Sequence, residues 1–240
     1  MIALPTRRDE AWRYADLAAL EALWPLPAPA AIMVPAGDTL SRAIASKGGV
    51  TQIELTLGKG ASAAIHLLNG VGDYGRIELD VRLYEGADFT LDAVQLASGE
   101  QTMEIVTTVR HLEPNAKSRQ TMRAIASVKG TVSYLGKVAV ARGAQGTDSV
   151  QDVKSMLLDR TATANAKPEL EIYADDVQCA HGATVGELDA GALFYLASRG
   201  LPPANAKKLM LQAFVAGVFD GAQDDETLTS AALAKLGEMV

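Results

Sequence analysis

The stretch Lys167 to Gly200, KPELEIYADDVQCAHGATVGELDAGALFYLASRG, marks the place where a strand-rich chain becomes helical. Its first residues alternate apolar and polar side chains, which is the period-2 pattern of a strand with one buried face. Two aspartates, Asp175 and Asp176, end that strand. The only cysteine, Cys179, then precedes His181, one of three histidines. The pattern predicts that a sheet ends here, with a thiol and an imidazole at the junction.

The residues after this junction predict a helical tail. Asp189 can cap a first helix and Gly200 can close it, because these residue types satisfy or terminate the free backbone groups of helix ends. Two further helices are predicted, one from Pro203 to about Phe219 and one from Glu226 to about Leu236.

The residues before the junction, from about Val50 to Ala174, predict strand after strand. Short segments of alternating apolar residues are separated by Gly, Asn and Asp turn signals, and no segment has a helical period. Evenly spaced short strands are typical of a sandwich, a barrel or a β-helix, and the spacing does not choose among them. Asn69-Gly70 favours a tight antiparallel hairpin.

The N-terminal residues Thr6 to Leu23 predict one helix. Thr6 and Asp9 have the spacing of a capping box, in which each side chain satisfies a backbone N–H at the helix start. Prolines at 25, 27 and 29 end the helix and form a stiff linker.

Composition narrows the classes of function. The 240 residues are 48% hydrophobic, which is ordinary for a globular protein with a core, and the net charge of −7 argues against nucleic-acid or anionic-membrane partners. The most apolar run, Leu209 to Phe219, is about half the length that a membrane-spanning helix needs. Charged residues interrupt the N-terminus before any apolar run, so no signal peptide is expected and a cytoplasmic location is predicted.

Two motifs resemble the SufB/SufD family, and specifically the SufD subunit of the SufBCD complex, which assembles iron–sulfur clusters. The first is the long motif around the cysteine, and its matching residues are Lys167-Pro168, Asp175 to Val177, Cys179 to Gly186, Leu193 to Leu196 and Ser198 to Gly200. The second lies at the N-terminus and comprises Leu4 to Arg8, Glu10, Trp12 to Tyr14 and Asp16.

This resemblance implies a fold and a role. The fold would be an all-β core, a right-handed parallel β-helix, flanked by a short N-terminal helix and a C-terminal helical region. The corresponding divisions are residues 1–30 for the helix and Pro-rich linker, 31–185 for the β-helix and 186–240 for the helical region. The role would be that of a non-enzymatic scaffold subunit that pairs with SufB and docks the SufC ATPase. The isolated chain could pair with itself as a homodimer.

Cys179 and His181 are the candidate site residues for cluster assembly. Residues at i and i+2 on a strand point the same way, and thiolate and imidazole both bind iron or zinc. A site needs about four ligands, however, and His66 and His111 lie far away in the sequence. We therefore expect no complete metal site on this chain and no stably bound cofactor. The resemblance implies that His181 lies at the SufB interface, where an iron–sulfur cluster would be held transiently and both residues could be shared ligands.

The second predicted helix is the candidate docking element for the ATPase. Its later part is apolar on nearly all sides, whereas a surface helix normally has one apolar stripe. The resemblance places SufC contacts in this region. The candidate docking residues are Met210, Leu211, Phe214, Val215 and Val218.

Two other functions remain open on the sequence. Glu169 and Glu171 lie on one strand face, about 7 Å apart at the usual rise per residue, a spacing compatible with a polysaccharide-cleaving pair. The low aromatic fraction of 5% does not favour that β-helical enzyme. The other alternative is a structural, homo-oligomeric β-protein with no role in clusters. The stretch Gly143 to Thr147 lacks the lysine of a phosphate-binding loop and is predicted to be a turn.

Overall fold

The structure is a computed structural model that describes residues 3–222 and 225–239, with the side chain of Asp225 left undescribed. The strands are β1 (Ala30–Val34), β2 (Thr39–Ala45), β3 (Gly49–Leu57), β4 (Ser62–Asn69), β5 (Tyr74–Leu83), β6 (Asp88–Ala97), β7 (Thr102–His111), β8 (Lys117–Ala126), β9 (Thr131–Val140), β10 (Thr147–Leu157), β11 (Thr163–Ile172) and β12 (Val177–Glu187). The helices are α1 (Leu17–Glu21), α2 (Ala190–Ser198), α3 (Pro203–Val215) and α4 (Asp225–Glu238).

The strands form two six-stranded sheets, one from the odd-numbered and one from the even-numbered strands. Each strand pairs in parallel with the strand two positions along the chain, so consecutive strands alternate between the sheets and the chain coils. The predicted parallel β-helix with helical ends is confirmed. The hairpin predicted at Asn69-Gly70 is wrong, because β4 and β5 lie in different sheets. The Asn69 side chain is buried instead and donates to the carbonyl oxygens of Gly75 and Glu104.

One corner of the coil repeats the same turn in successive rungs. Its central residues all have positive φ, between 61° and 75°, and are Gly37, Gly60, Gly86, Asn115 and Gly146. The N–H of each donates to a carbonyl oxygen in the next turn, at 2.7–3.0 Å. Glycine adopts this left-handed backbone without a steric penalty and asparagine tolerates it, which explains the Gly and Asn turn signals in the sequence. Gly143 to Gly146 form a turn in this column, as predicted, and Thr147 begins β10.

The lumen of the β-helix changes character along its axis. In the first rungs it is filled by a core of leucine, isoleucine and alanine, including Leu55, Ile65 and Leu79. In the later rungs polar residues occupy the inward positions and remain buried. They are Thr107, His111, Ser118, Gln120, Tyr134, Thr147, Ser149 and Gln151.

Helices α3 and α4 pack on the outer face of the even-numbered sheet. Leu211 on α3 and Leu236 on α4 are buried in one cluster with Val94 and Ile125 of the sheet. Helix α2 is capped by Asp189, whose Oδ1 accepts from Ala192 N at 2.8 Å. Among the described residues, no helix is both long and apolar enough to cross a bilayer.

Helix α3 is shorter than predicted, because it ends at Val215 and the chain turns before Phe219. Gly217 adopts a φ of 77° in that turn, a conformation that helical residues do not have.

The N-terminal segment is not the single helix predicted from Thr6 to Leu23. It contains a short 3-10 turn, Glu10–Trp12, and then α1, whose N-terminus is capped by Asp16. The Asp9 carboxylate accepts from the backbone N–H and the hydroxyl of Thr6, so the predicted pair of capping residues forms but closes only a local turn.

A contact with the β-helix explains why this helix is interrupted. Arg76 is fully buried, donates to the carbonyl oxygen of Ala11 at 2.6 Å and lies 3.8 Å from the centre of the Trp12 ring. The guanidinium also pairs with Glu104 at 2.8 Å. The hydrogen bond from Arg76 to the Ala11 carbonyl and the stacking of Trp12 on the guanidinium hold the segment against the outer face of the odd-numbered sheet.

The boundaries after residues 30 and 185, which separate the N-terminal region, the β-helix and the helical region, stay predictions. The first strand begins at Ala30 and the last ends at Glu187.

Candidate functional site

Cys179 and His181 lie on β12, the last strand of the even-numbered sheet. Within the part of the chain that the structure describes, this strand pairs only with β10, and β11 is likewise the last strand of the odd-numbered sheet. Both strands therefore present an unpaired backbone edge at the same end of the coil. Residues of β12 from Gly182 to Glu187 are exposed. Unpaired edges of this kind are templates for pairing with another chain.

The parallel register shows which way the two site residues point. Cys179 is opposite Ser149, and His181 is opposite Gln151. Ser149 and Gln151 are buried in the lumen, and side chains at matched positions of parallel strands share a face. The thiol and the imidazole thus lie on the lumen side of the last rung, at the open end of the β-helix.

The two residues differ in their surroundings. Cys179 is half-buried against the apolar cluster that contains Val140 and Ala174. Burial raises the pKa of the Cys179 thiol, and the nearby Asp148 carboxylate adds to that effect. His181 is exposed. The thiol is therefore kept protonated, whereas the imidazole is accessible to a partner.

A hydrogen-bonded chain lies beneath Cys179. The hydroxyls of Ser149 and Ser118 are 2.8 Å apart, and Ser118 Oγ is 2.9 Å from His111 Nε2. Burial lowers the pKa of His111 to about 4, so this imidazole is neutral at physiological pH.

A second polar column lies beneath His181. Gln151 Nε2 donates to the hydroxyl of Tyr134 at 3.2 Å. Tyr134 in turn donates to Gln120 Oε1 at 3.0 Å, and Thr107 donates to the same oxygen at 3.0 Å. Both site residues therefore lie above buried networks of polar side chains.

The structure brings together two residues of the predicted site and leaves the other histidines apart. His66 lies on β4, 3.8 Å from Asp92, and His111 lies in the lumen on β7. Within residues 3–222 and 225–239, no group of three His, Cys, Asp or Glu side chains is placed to hold a metal ion. Cys179 and His181 can supply two ligands at most, and a cluster would need the others from a partner. That Cys179 and His181 act as shared ligands stays a prediction.

The predicted docking residues divide into two groups. Leu211, Val215 and Val218 are buried against the chain's own sheet and α4, whereas Met210 and Phe214 are half-buried. Val218 lies beyond the end of α3 and so does not continue the helical row of Met210 and Phe214. The buried side chains cannot meet a partner while the helices stay in place.

An apolar groove of about 300 Å³ nevertheless runs between α3 and α4. Leu209, which is 49% exposed, lies at the groove with Ala213 and Leu233. This groove is an apolar part of the predicted docking element that solvent can reach, and docking itself stays a prediction.

The two glutamates of the alternative enzyme are occupied by ion pairs. Glu169 pairs with Lys167 at 3.2 Å, and Glu171 pairs with Lys137 and accepts from Tyr173. The hydrogen bond from Lys137 lowers the pKa of Glu171. A glycosidase needs one carboxyl group with a raised pKa to act as general acid, so this arrangement does not favour that chemistry.

Sequence reasoning missed the polar lumen. Ser149 and Gln151 alternate with outward residues along β10, and so do Ser118 and Gln120 along β8. The signal was a small or amide polar residue at every second position, alternating with mostly charged residues that face solvent. Without the pairing of the strands, the same alternation is typical of a solvent-facing side.

Comparisons with known proteins show which family the chain resembles. The family model described as "SUF system FeS cluster assembly, SufBD core domain" matches residues 45–214. The chain is 34% identical to the iron–sulfur cluster assembly protein SufD of Escherichia coli over 154 residues, which are 64% of this chain and 36% of that protein.

Two further relatives have similar identity. A SufBD family protein of Synechocystis, slr0076, is 35% identical over 53% of this chain and 28% of its own length. The chloroplastic protein ABCI7 of Arabidopsis thaliana is 35% identical over 54% of this chain and 28% of its own length. The chain thus matches about a third of the length of these relatives. Since the family model covers most of the β-helix and both site residues, the chain belongs to the SufBD core family of the SUF iron–sulfur cluster assembly system.

Proposed function

We propose that this chain is a SufD-like scaffold subunit of iron–sulfur cluster assembly, and not an enzyme. The observation that carries the proposal is the open end of the β-helix, where His181 and Cys179 lie on the lumen side of the last rung, next to the unpaired edges of β11 and β12. A shared site needs accessible ligands next to a surface that another chain can cover, and this end offers both. The relative from Escherichia coli is named as an iron–sulfur cluster assembly protein, SufD, which supports the same role.

A SufB-like subunit is the proposed partner at this end. Strands β11 and β12 would be covered by the matching end of the partner, which would supply the ligands that this chain lacks. The iron–sulfur cluster is the cargo of such a site. The isolated chain, presenting the same edges, could pair with a second copy of itself.

A SufC-like ATPase is the proposed partner of the helical region. The apolar groove between α3 and α4 supports this proposal, since exposed apolar patches mark interaction surfaces. The proposed location is cytoplasmic, although the relative from Arabidopsis thaliana is named chloroplastic.

The first experiment tests the site in the assembled complex. The chain is combined with the SufB-like and SufC-like proteins of its own organism, and cluster transfer to an apo-ferredoxin is measured. His181→Ala should abolish transfer while the complex still forms. Thr184→Ala, on the outward side of the same strand, is the matched control and should retain full transfer. Full activity of His181→Ala would contradict the proposed site.

The second experiment tests the surface. Ala183 is exposed on the lumen side of β12, and an arginine there would project into the space that a covering rung must fill. Ala183→Arg should prevent association with the SufB-like subunit in size-exclusion chromatography, whereas Thr184→Arg should not. Equal association of both variants would place the partner elsewhere.

A further inference from the structure

The polar column beneath His181 ends in an unused acceptor. Gln151 is buried, and its Oε1 has no hydrogen-bond partner among the described residues. A buried carbonyl oxygen without a donor costs free energy, so its retention calls for an explanation.

The direction of the amide follows from the network below it. The hydroxyl protons of Thr107 and Tyr134 are both donated to Gln120 Oε1. The Tyr134 oxygen is then left as an acceptor, and it receives Gln151 Nε2. Because Gln151 Nε2 donates to Tyr134, on the side of the earlier rungs, Gln151 Oε1 is free to accept from a donor on the side of the last rung.

The residue on that other side is His181. Gln151 lies between Gln120 on β8 and His181 on β12 at one register position. Neighbouring strands are about 4.8 Å apart, so side chains at matched positions on one face are neighbours. The two side chains are not hydrogen-bonded in the structure, where Gln151 Oε1 has no partner among the described residues, and a rotation of the exposed His181 ring would form the bond. A neutral imidazole carries one N–H donor and one acceptor nitrogen. The hydrogen bond made by one nitrogen therefore decides whether the other carries the proton.

We propose that Gln151 is a positioning residue, which accepts a hydrogen bond from a ring N–H of His181 and thereby selects one tautomer of the imidazole. The other ring nitrogen is then unprotonated and directed to the open end, where it can bind a metal ion or accept a proton. This inference rests on the proposed function, because it gives the tautomer a use only if His181 serves the shared site. Metal-bound histidines are commonly oriented in this way by a second hydrogen bond.

The test reads the tautomer directly in the isolated full-length chain. Long-range proton–nitrogen NMR spectra of the ¹⁵N-labelled protein report which ring nitrogen carries the proton. Spectra are recorded at about pH 8.5, where imidazole groups are in general neutral. Only three histidines are present, and the signals that disappear in the His181→Ala variant are those of His181. The unmodified chain should show His181 in one dominant tautomer.

Two matched substitutions separate the loss of the hydrogen bond to Gln151 from the general effect of removing a buried amide. Gln151→Met keeps the length of the side chain and removes the acceptor, so the ratio of the two tautomers should fall by roughly five- to tenfold, as expected for the loss of one hydrogen bond. Gln95→Met makes the same change at a buried glutamine of β6 whose amide donates to Ser133 O and not to this column, and it should leave the ratio unchanged. Gln151→Leu serves as a second variant, and far-ultraviolet circular dichroism checks that each variant is folded.

Three results would overturn the inference. The first is that His181 of the unmodified chain shows the same tautomer mixture as a freely solvated imidazole. This result does not depend on the folding of any variant. The second is an unchanged ratio in Gln151→Met, and the third is an equal change in Gln95→Met. Cluster transfer by His181→Ala tests the proposed function separately. A selected tautomer together with full activity of His181→Ala would refute the function while leaving the positioning contact in place.

Discussion

The ring of Tyr134 lies directly over Gly136, two residues further along the same face of β9. A Cβ at position 136 would come within 2.5 Å of Tyr134 Cε1. Because Gly136 has no side chain, the ring of Tyr134 can occupy that space inside the lumen. In that position its hydroxyl joins Thr107, Gln120 and Gln151. The polar column beneath His181 therefore depends on a residue with no side chain.

Replacement of Gly136 by Ala should destabilise the protein by about 1–3 kcal/mol, the usual range for overpacking a close-packed core. Tyr134 would have to move, and its hydrogen bonds would lengthen. Gly143→Ala is the control, because a Cβ there meets nothing within 4 Å. Urea unfolding of the two variants gives the comparison, and equal stability would show that Tyr134 is free to move.

Arg76→Ala should cost about 3–5 kcal/mol, because it leaves the buried carboxylate of Glu104 without its partner. It should also release the N-terminal segment, since Trp12 loses the guanidinium stacked on it. Arg82→Ala is the matched control. Arg82 is also paired with carboxylates but is 40% exposed, and pairs of that kind contribute about 1 kcal/mol or less.

The fluorescence of the only two tryptophans, Trp12 and Trp24, would report release of the segment. An Arg76→Ala protein as stable as the Arg82→Ala protein, with an unchanged emission spectrum, would contradict a structural role for the buried pair.

His111 should make the stability of the protein depend on pH. Its pKa is lowered to about 4 by burial, below the ordinary value of 6.5 that it regains on unfolding. Between these values the unfolded state binds more protons than the folded state, so the free energy of unfolding falls as the pH is lowered. The contribution approaches about 1.4 kcal/mol per pH unit from about pH 6 down to about 4.

His111→Gln keeps a polar side chain near Ser118 and cannot titrate. Its free energy of unfolding should therefore fall less steeply with pH than that of the unmodified chain over the same window. Urea unfolding at several pH values measures both slopes. Parallel slopes would mean that His111 is already protonated in the folded protein.

The isolated protein should be colourless and should hold no iron–sulfur cluster at one per chain. One cysteine and one nearby histidine cannot supply the ligand set. Anaerobic reconstitution with iron and sulfide, followed by absorption spectroscopy and iron analysis, provides the measurement. One stable cluster per chain would refute the expectation, while one per two chains would point to a shared site in a homodimer.

Substitutions on α3 should separate docking from folding. Leu209→Asp places a charge on the exposed groove and should weaken co-purification of the SufC-like ATPase without a loss of stability. Leu211→Asp buries a charge in the cluster under the helix and should unfold the helical region. If Leu209→Asp and Ala213→Asp both leave the ATPase bound as before, the groove is not the docking site.

Local features of the sequence determined the strands, the turns and most of the helical tail. Apolar alternation follows from side chains that point to opposite faces of a strand, and the Gly and Asn turns follow from a backbone with positive φ. Asp189 marked the start of α2 because its carboxylate caps the helix within three residues. The motif around Cys179 and His181 also identified the family and the candidate site before any contact was known.

Only the tertiary structure decided how the strands pair and what lies between them. The partners in each sheet are about 30 residues apart, as for Gln120, Gln151 and His181, so no local pattern shows that these residues share one column. The predicted N-terminal helix failed for the same reason, since its interruption is set by Arg76, 65 positions away from Ala11. Hydrogen bonds and burial between distant segments outweigh local preference at these points, because a buried polar group must find its partner wherever the fold has placed it.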